Sequence, residues 1–284
     1  MQFPITNLPV PEPLLHIPQP PKQLSIRGTF LDMKKYKFLT VVGSRNYTSY
    51  GEDACRTLIA GLKGYPVVIV SGLANGIDRI SHEAALDTGL ITISFPGSGL
   101  DDAVLYPKAQ YQLAMRILNS GGALVSEFDN NFKSTLWSCV QRNRLMAGLS
   151  HATLVIEAKH KSGTRITAKL ATDYNRDVLA VPGNIFSENS EATNELIRMG
   201  ATPITSSIDI LEALGFQITE SVPADLFSQC SPDEESVISL LTSAKPRGEL
   251  MREMNVPTHK ANILLSQMEL KGLIKEVGGE IRRV

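Results

Sequence analysis

Short runs of apolar, strand-favouring residues recur along this chain at 38–42, 67–70, 91–95, 123–125, 153–156 and 178–181. Between them lie stretches with helical spacing of apolar positions, at 52–63, 77–87, 106–119, 136–149 and 165–175. The strand runs are nearly continuous rather than alternating, as expected where helices cover both faces of a sheet. The pattern therefore predicts βαβ repetition: an α/β fold with an extended Rossmann-like parallel sheet of six or seven strands, closed by helices at 193–199 and 207–214.

The ends of the chain read differently. Residues 1–24 carry seven prolines, which disfavours a regular helix and predicts an extended arm packed on the domain. A short strand at 24–28 precedes the first βα unit. Residues 25–219 form the Rossmann-like domain, and 220–231, rich in Ser, Pro, Asp and Gln, read as a linker. Residues 232–284 show three helical patterns followed by two short strands around Gly278-Gly279, the order of a small winged-helix domain.

Candidate chemistry sits where strands turn into helices. After the 38–42 run come Gly43, Ser44 and Arg45; a glycine turn before a helix exposes backbone N–H groups to an anion, with an arginine beside it. The second turn carries Ser71, Gly72, Asn75 and Gly76, with Asp78 in the first helical turn as a cap or as a brace for an arginine. A third, Phe95 to Leu100, is a loop ahead of a proline-initiated helix. The fourth is the most cationic: Lys159, Lys161 and Arg165 surround Ser162, Gly163 and Thr164. In an open α/β sheet such turns line the ligand crevice at the carboxyl ends of the strands. Arg142 and Arg144, two apart on a helix, point to nearly opposite faces, so one faces ligand while the other pairs with a carboxylate such as Glu127 or Glu157.

A net charge of −1 over 284 residues rules out coating a nucleic acid by bulk basicity; phosphate binding has to come from a local patch. With 6% aromatic residues, base stacking is expected to be secondary to phosphate capture. Cys55, Cys139 and Cys230 are far apart and lack metal-ligand spacing, so they read as reduced thiols, and no cofactor is expected. With no leader-like N-terminus and no run of 18 apolar residues, the chain is expected to be cytoplasmic, without membrane contact.

Val42-Gly43-Ser44-Arg45, Ser71-Gly72-Leu73-Ala74-Asn75-Gly76-Ile77-Asp78, Arg142-Asn143-Arg144, Ser162-Gly163-Thr164 and Pro182-Gly183 stand in the order found in the bacterial DNA-processing protein A family (DprA, also called Smf), which the chain resembles over about residues 25–215. Its C-terminal part resembles the winged-helix domain of many members. In place of the helical N-terminal domain that many members carry stands the proline-rich stretch. The resemblance implies a homodimer that binds single-stranded DNA taken up in natural transformation, protects it and loads the recombinase RecA. It places the family's DNA-binding arginine on Arg45 and its lysine on Lys161. The candidate DNA-binding set is then Gly43, Ser44, Arg45, Ser71, Gly72, Asn75, Gly76, Arg142, Arg144, Lys161, Ser162, Gly163 and Thr164.

The alternative is a nucleotide-processing enzyme like the lysine-decarboxylase-like phosphoribohydrolases, whose P-G-G-x-G-T-x-x-E pattern supplies a glutamate at the ribose. Here Thr167 stands where that glutamate would be, and no paired carboxylates or nucleophile and base replace it. A dehydrogenase would need G-x-G-x-x-G in the first turn. Sequence-specific duplex reading is also disfavoured: residues 231–284 hold eight Lys or Arg against eight Asp or Glu, and residues 258–272 offer few side chains suited to base edges. A non-enzymatic binding protein is the expected class.

Overall fold

In the computed structural model, which describes residues 3–217, 230–241, 244–277 and 279–283, the apolar runs assemble into a nine-stranded sheet. The chain divides into two units, residues 1–218 and 219–284. The linker expected at 220–231 lies outside the described residues except for Cys230 and Ser231.

The first unit runs β1 (Ile5–Leu8), α1 (Glu12–Leu15), β2 (Leu24–Gly28), β3 (Lys37–Val42), α2 (Ser49–Ala60), β4 (Val67–Ser71), α3 (Ile77–Thr88), β5 (Ile91–Ser94), α4 (Tyr111–Asn119), β6 (Ala123–Ser126), α5 (Leu136–Gln141), α6 (Asn143–Leu149), β7 (Ala152–Val155), α7 (Gly163–Asp173), β8 (Asp177–Ala180), α8 (Glu191–Arg198), β9 (Thr202–Pro203) and α9 (Ser207–Ala213). The strand order is β1-β2-β6-β5-β4-β3-β7-β8-β9. From β6 to β9 all neighbours are parallel, while β2 runs antiparallel to both β6 and β1. The parallel part thus has seven strands, where six or seven were expected, and β1 and β2 extend it at one edge.

Alternation along each strand feeds two cores. Leu39, Val41, Val67 and Ile69 pack with Leu58, Ile59 and Ile80. Phe38, Val42, Val68 and Val70 pack with Leu145, Met146 and Ala168. Both faces of the central strands are therefore covered, which is why most of their sequence runs are continuous; β5 alternates, but its Thr92 and Ser94 are buried as well.

The expected extended arm contains two regular elements. β1 pairs with β2, and α1 forms despite its prolines because Pro11 stands at the N-cap position, its carbonyl accepting from the Leu14 amide at 2.9 Å, and Pro13 sits in the first turn, where a missing N–H costs nothing. Leu14 and Ile17 then pack against Gly148, where a Cβ would press on Ile17. The helix expected over 136–149 is two, α5 and α6, meeting at Arg142.

The second unit comprises α10 (Pro232–Leu240), β10 (Lys245–Pro246), α11 (Arg247–Glu253), α12 (Thr258–Leu270), β11 (Ile274–Val277) and β12 (Glu280–Arg283). Its three strands are ordered β10-β12-β11, and Val237, Leu250, Leu265, Met268 and Ile281 form its core. The two-residue β10, too short to show a sequence period, joins the hairpin expected from the glycine turn.

Candidate functional site

From β3 the chain steps to β4 on one side and, after α6, returns to β7 on the other. Ligands of open α/β sheets bind at such a reversal, outside the carboxyl ends of the strands. Here the turn after β3 and the turn after β7 are stitched together. The Ser44 amide donates to the Glu157 carbonyl at 2.7 Å, and Thr164 Oγ1 donates to the Gly43 carbonyl at 3.1 Å. The turn after β4 joins them, with the Ile77 amide donating to the Ser44 carbonyl at 3.2 Å. Gly76, at φ 87°, is required at that crossing because a Cβ would strike the Ser44 carbonyl and lie 2.5 Å from Arg45 Cα.

A cavity of about 430 Å³ opens over these turns. Arg45 and Lys161 both line it, both are exposed, and neither side chain makes a hydrogen bond or ion pair among the described residues. Lys159, also on the wall, pairs with Glu188 at 2.7 Å. Arg165 is directed away to Glu195 at 3.1 Å. α7 starts at the same place: among the described residues its N-cap, Ser162, makes no side-chain cap bond and its Oγ has no hydrogen-bond partner, and the space over Gly163 is open. Unsatisfied N–H groups at the end of an 11-residue helix attract an anion.

The cavity floor is Arg142, 5% exposed. Its guanidinium donates to the Phe95 carbonyl and to the Cys139 carbonyl, the latter at 3.2 Å, and lies 3.7 Å from Asp78 Oδ2. Burial lowers the Arg142 pKa and the Asp78 charge opposes it. Burial raises that of Asp78, against Arg142 and the backbone N–H groups of Ala74 and Gly72. Asp78 is thus the brace of a buried cation. Gly72 makes the room, since a Cβ there would fall inside the Arg142 guanidinium.

The opposite wall is apolar. Leu136 and Val140, one helical turn apart on α5, line the cavity at 87% and 44% exposure. Next to them Trp137, 62% exposed, stands edge-on to Phe128 with ring centroids 6.0 Å apart.

The cavity thus brings together Gly43, Ser44, Arg45, Arg142, Lys161, Ser162, Gly163 and Thr164. Gly72 and Asn75 line a small recess of about 40 Å³ that shares Arg45 and Arg142 with the cavity. Three of the candidates line neither: Gly76 serves the crossing of the turns described above, and the other two are turned inward. Ser71 is buried with its hydroxyl on the Val41 carbonyl at 2.7 Å, and Arg144 is buried on Glu127, the carboxylate pairing anticipated for one of the two arginines. The Ser44 hydroxyl closes its own turn on Asn46. Leu136 and Val140 were missed because exposed apolar residues on a helix look like core positions until the fold shows them uncovered.

The profile of the family described as DNA recombination-mediator protein A matches residues 5–215. Protein Smf of Escherichia coli is 35% identical over 281 residues, covering 96% of this chain and 74% of its own. The structure of DNA processing protein A from Streptococcus pneumoniae superposes with a TM-score of 0.68 at 36% identity, covering 76% of this chain and 75% of that one. That of DNA processing protein A from Helicobacter pylori, described for its single-stranded DNA binding mode, gives 0.67 at 29% identity, covering 75% and 96%. The chain belongs to the DNA recombination-mediator protein A family.

Proposed function

We propose that this protein binds single-stranded DNA in the cavity over β3 and β7, protects DNA entering by natural transformation, and loads RecA onto it from a cytoplasmic homodimer. The observation that carries the reading is the pair of cations with no hydrogen bond or ion pair among the described residues, Arg45 and Lys161, at one cavity with the open N-terminus of α7. Folding does not require them there, and phosphate does. The apolar wall of Leu136 and Val140 suits a base exposed by the absence of a second strand, whereas a duplex keeps its bases stacked inside. The relative from Helicobacter pylori, described by its single-stranded DNA binding mode, supports the same ligand.

The enzyme alternative asks for a carboxylate free to act on a ribose. Asp78 lines the cavity but is held by Arg142 and two backbone N–H groups, and Thr167 donates to the Gly163 carbonyl at 3.5 Å. A binding protein without catalysis is the better fit. We read the second unit as a winged helix, with α12 in the recognition-helix position, serving protein contact or duplex tethering. The deciding experiment is a titration with single-stranded and double-stranded DNA of equal length at several salt concentrations. Preference for the single strand, weakening as salt rises, is expected; equal affinity for duplex overturns the reading.

A further inference from the structure

The carboxyl edge of the sheet continues past β7 into a second cleft of about 560 Å³, lined by Thr48, Tyr50, Glu157, Pro182, Asn184 and Ser187 among others. Neighbouring strands lie about 4.8 Å apart, so this cleft, between the ends of β7 and β8, opens about one strand position from the cationic cavity. The two share a rim: Lys159 of the first cavity pairs with Glu188 beside the second, and Asn189 Nδ2 donates to the Asn46 carbonyl at 2.9 Å.

Their chemistry is opposite. Among the described residues, no Lys or Arg lines the second cleft. Glu157 is on its floor, accepting from the Thr48 amide at 2.9 Å and the Thr48 hydroxyl at 2.5 Å. A phosphate would be repelled there, and an uncharged planar group would not. The surroundings suit such a group. Tyr50, half exposed, is fixed by its hydroxyl donating to the Pro182 carbonyl at 2.6 Å. The turn after β8 is pinned by Asn194, which bonds the Gly183 amide and carbonyl at 3.2 and 3.0 Å, and by Asn184, which accepts from the Phe186 amide at 2.9 Å. That pinned turn holds Ile185 and Phe186 in solvent, 80% and 89% exposed. Large apolar side chains on a fixed turn contribute nothing to the core and are ready to cover a flat apolar surface.

We propose that this cleft is a base-binding subsite, in which a nucleotide of the strand held by its phosphates in the cationic cavity stacks on Phe186 and Tyr50. The inference rests on the single-stranded DNA reading. It divides the work: phosphates are held between Arg45, Lys161 and α7, and a base is held one strand position away, where charge forbids a phosphate.

The test compares the full chain with Ile185→Ala/Phe186→Ala and with Phe186→Trp across oligothymidylates of about 4 to about 16 nucleotides, the span of known single-strand site sizes, at several salt concentrations. Both positions are exposed, and circular dichroism melting verifies the fold. For the double alanine variant we expect about a tenfold loss of affinity on long oligonucleotides and none on the shortest. The slope of log affinity against log salt stays unchanged, because no phosphate contact is lost. Phe186→Trp retains wild-type affinity. Arg45→Glu, by contrast, weakens all lengths and flattens the slope. Wild-type affinity for the double variant at every length, or a changed salt slope, overturns the subsite while leaving the cationic cavity standing. A loss that tracks loss of dimer mass in light scattering assigns the turn to protein contact and also overturns it. Failure of the wild-type chain to bind single strands at all removes the functional reading and this inference with it.

Discussion

Asp78 illustrates how one buried charge is made tolerable by another. With both side chains about nine-tenths buried, removing one partner leaves the other charged and without compensation, a loss of about 3–5 kcal/mol. Asp78→Ala is therefore expected to destabilise the first unit by that amount in chemical denaturation, and to weaken DNA binding through displacement of Arg142. A second buried group, His82, sets a pH dependence. Thr92 Oγ1 donates to the Ile69 carbonyl at 2.9 Å, so it accepts from His82 Nδ1 at 2.6 Å, while Nε2 has no partner among the described residues. Burial, reinforced by the Arg142 charge, pushes the His82 pKa down to about 3. The unfolded imidazole titrates near 6.5, so between these values the unfolded chain binds the extra proton. Stability from this residue is complete above about 6.5 and falls with pH toward about 3, at up to roughly 1.4 kcal/mol per unit. His82→Leu should lack that component of the acid slope when unfolding free energy is measured from pH 7 to 4; an identical slope in the two proteins contradicts it.

At the scale of elements, function is concentrated in turns that a stiff sheet holds in place. Arg45 and Lys161 follow different strands, β3 and β7, yet face one cavity. Arg45→Glu or Lys161→Glu alone is expected to lower single-strand affinity by at least tenfold, since each removes one phosphate contact and adds a repulsion, while the melting temperature stays within about 2 °C because both side chains are exposed and make no hydrogen bond or ion pair among the described residues. These turns were legible in the sequence because glycine, hydroxyl and cation cluster after continuous apolar runs. The pairing of one of the two arginines with a strand-end carboxylate was legible too, though not the choice of Glu127 over Glu157 or the break between α5 and α6 at Arg142. The roles of Ser71 and Gly72 were not. A serine at the end of a strand offers the same signal whether its hydroxyl meets ligand or the neighbouring strand's carbonyl, as it does at Val41. Gly72 serves Arg142, 70 positions away, and only the fold brings them together. β9, two residues long, and β1, set between prolines, carry too few positions to show a period.

For the molecule as a whole, every residue that lines the cationic cavity belongs to the first unit, residues 1–218. Deleting residues 225–284 should leave a folded protein that still binds single strands, as a gel-shift titration of the truncated chain would show; abolished binding with the fold intact would mean the site is misplaced. The last expectation concerns assembly. One cavity of about 430 Å³ accommodates only a few nucleotides, and a few phosphate contacts bind weakly at physiological salt. In the homodimer proposed above, a strand long enough to reach both cavities makes its second contact intramolecularly, at an effective concentration in the millimolar range for short flexible connections. Affinity should then rise steeply once the oligonucleotide spans both sites, without any new contact. A monomeric variant with unaltered cavities should match the dimer on very short oligonucleotides and fall well behind it on long ones. Measuring affinity against length for both forms decides the matter, because a single self-sufficient cavity per protein would make the two curves coincide.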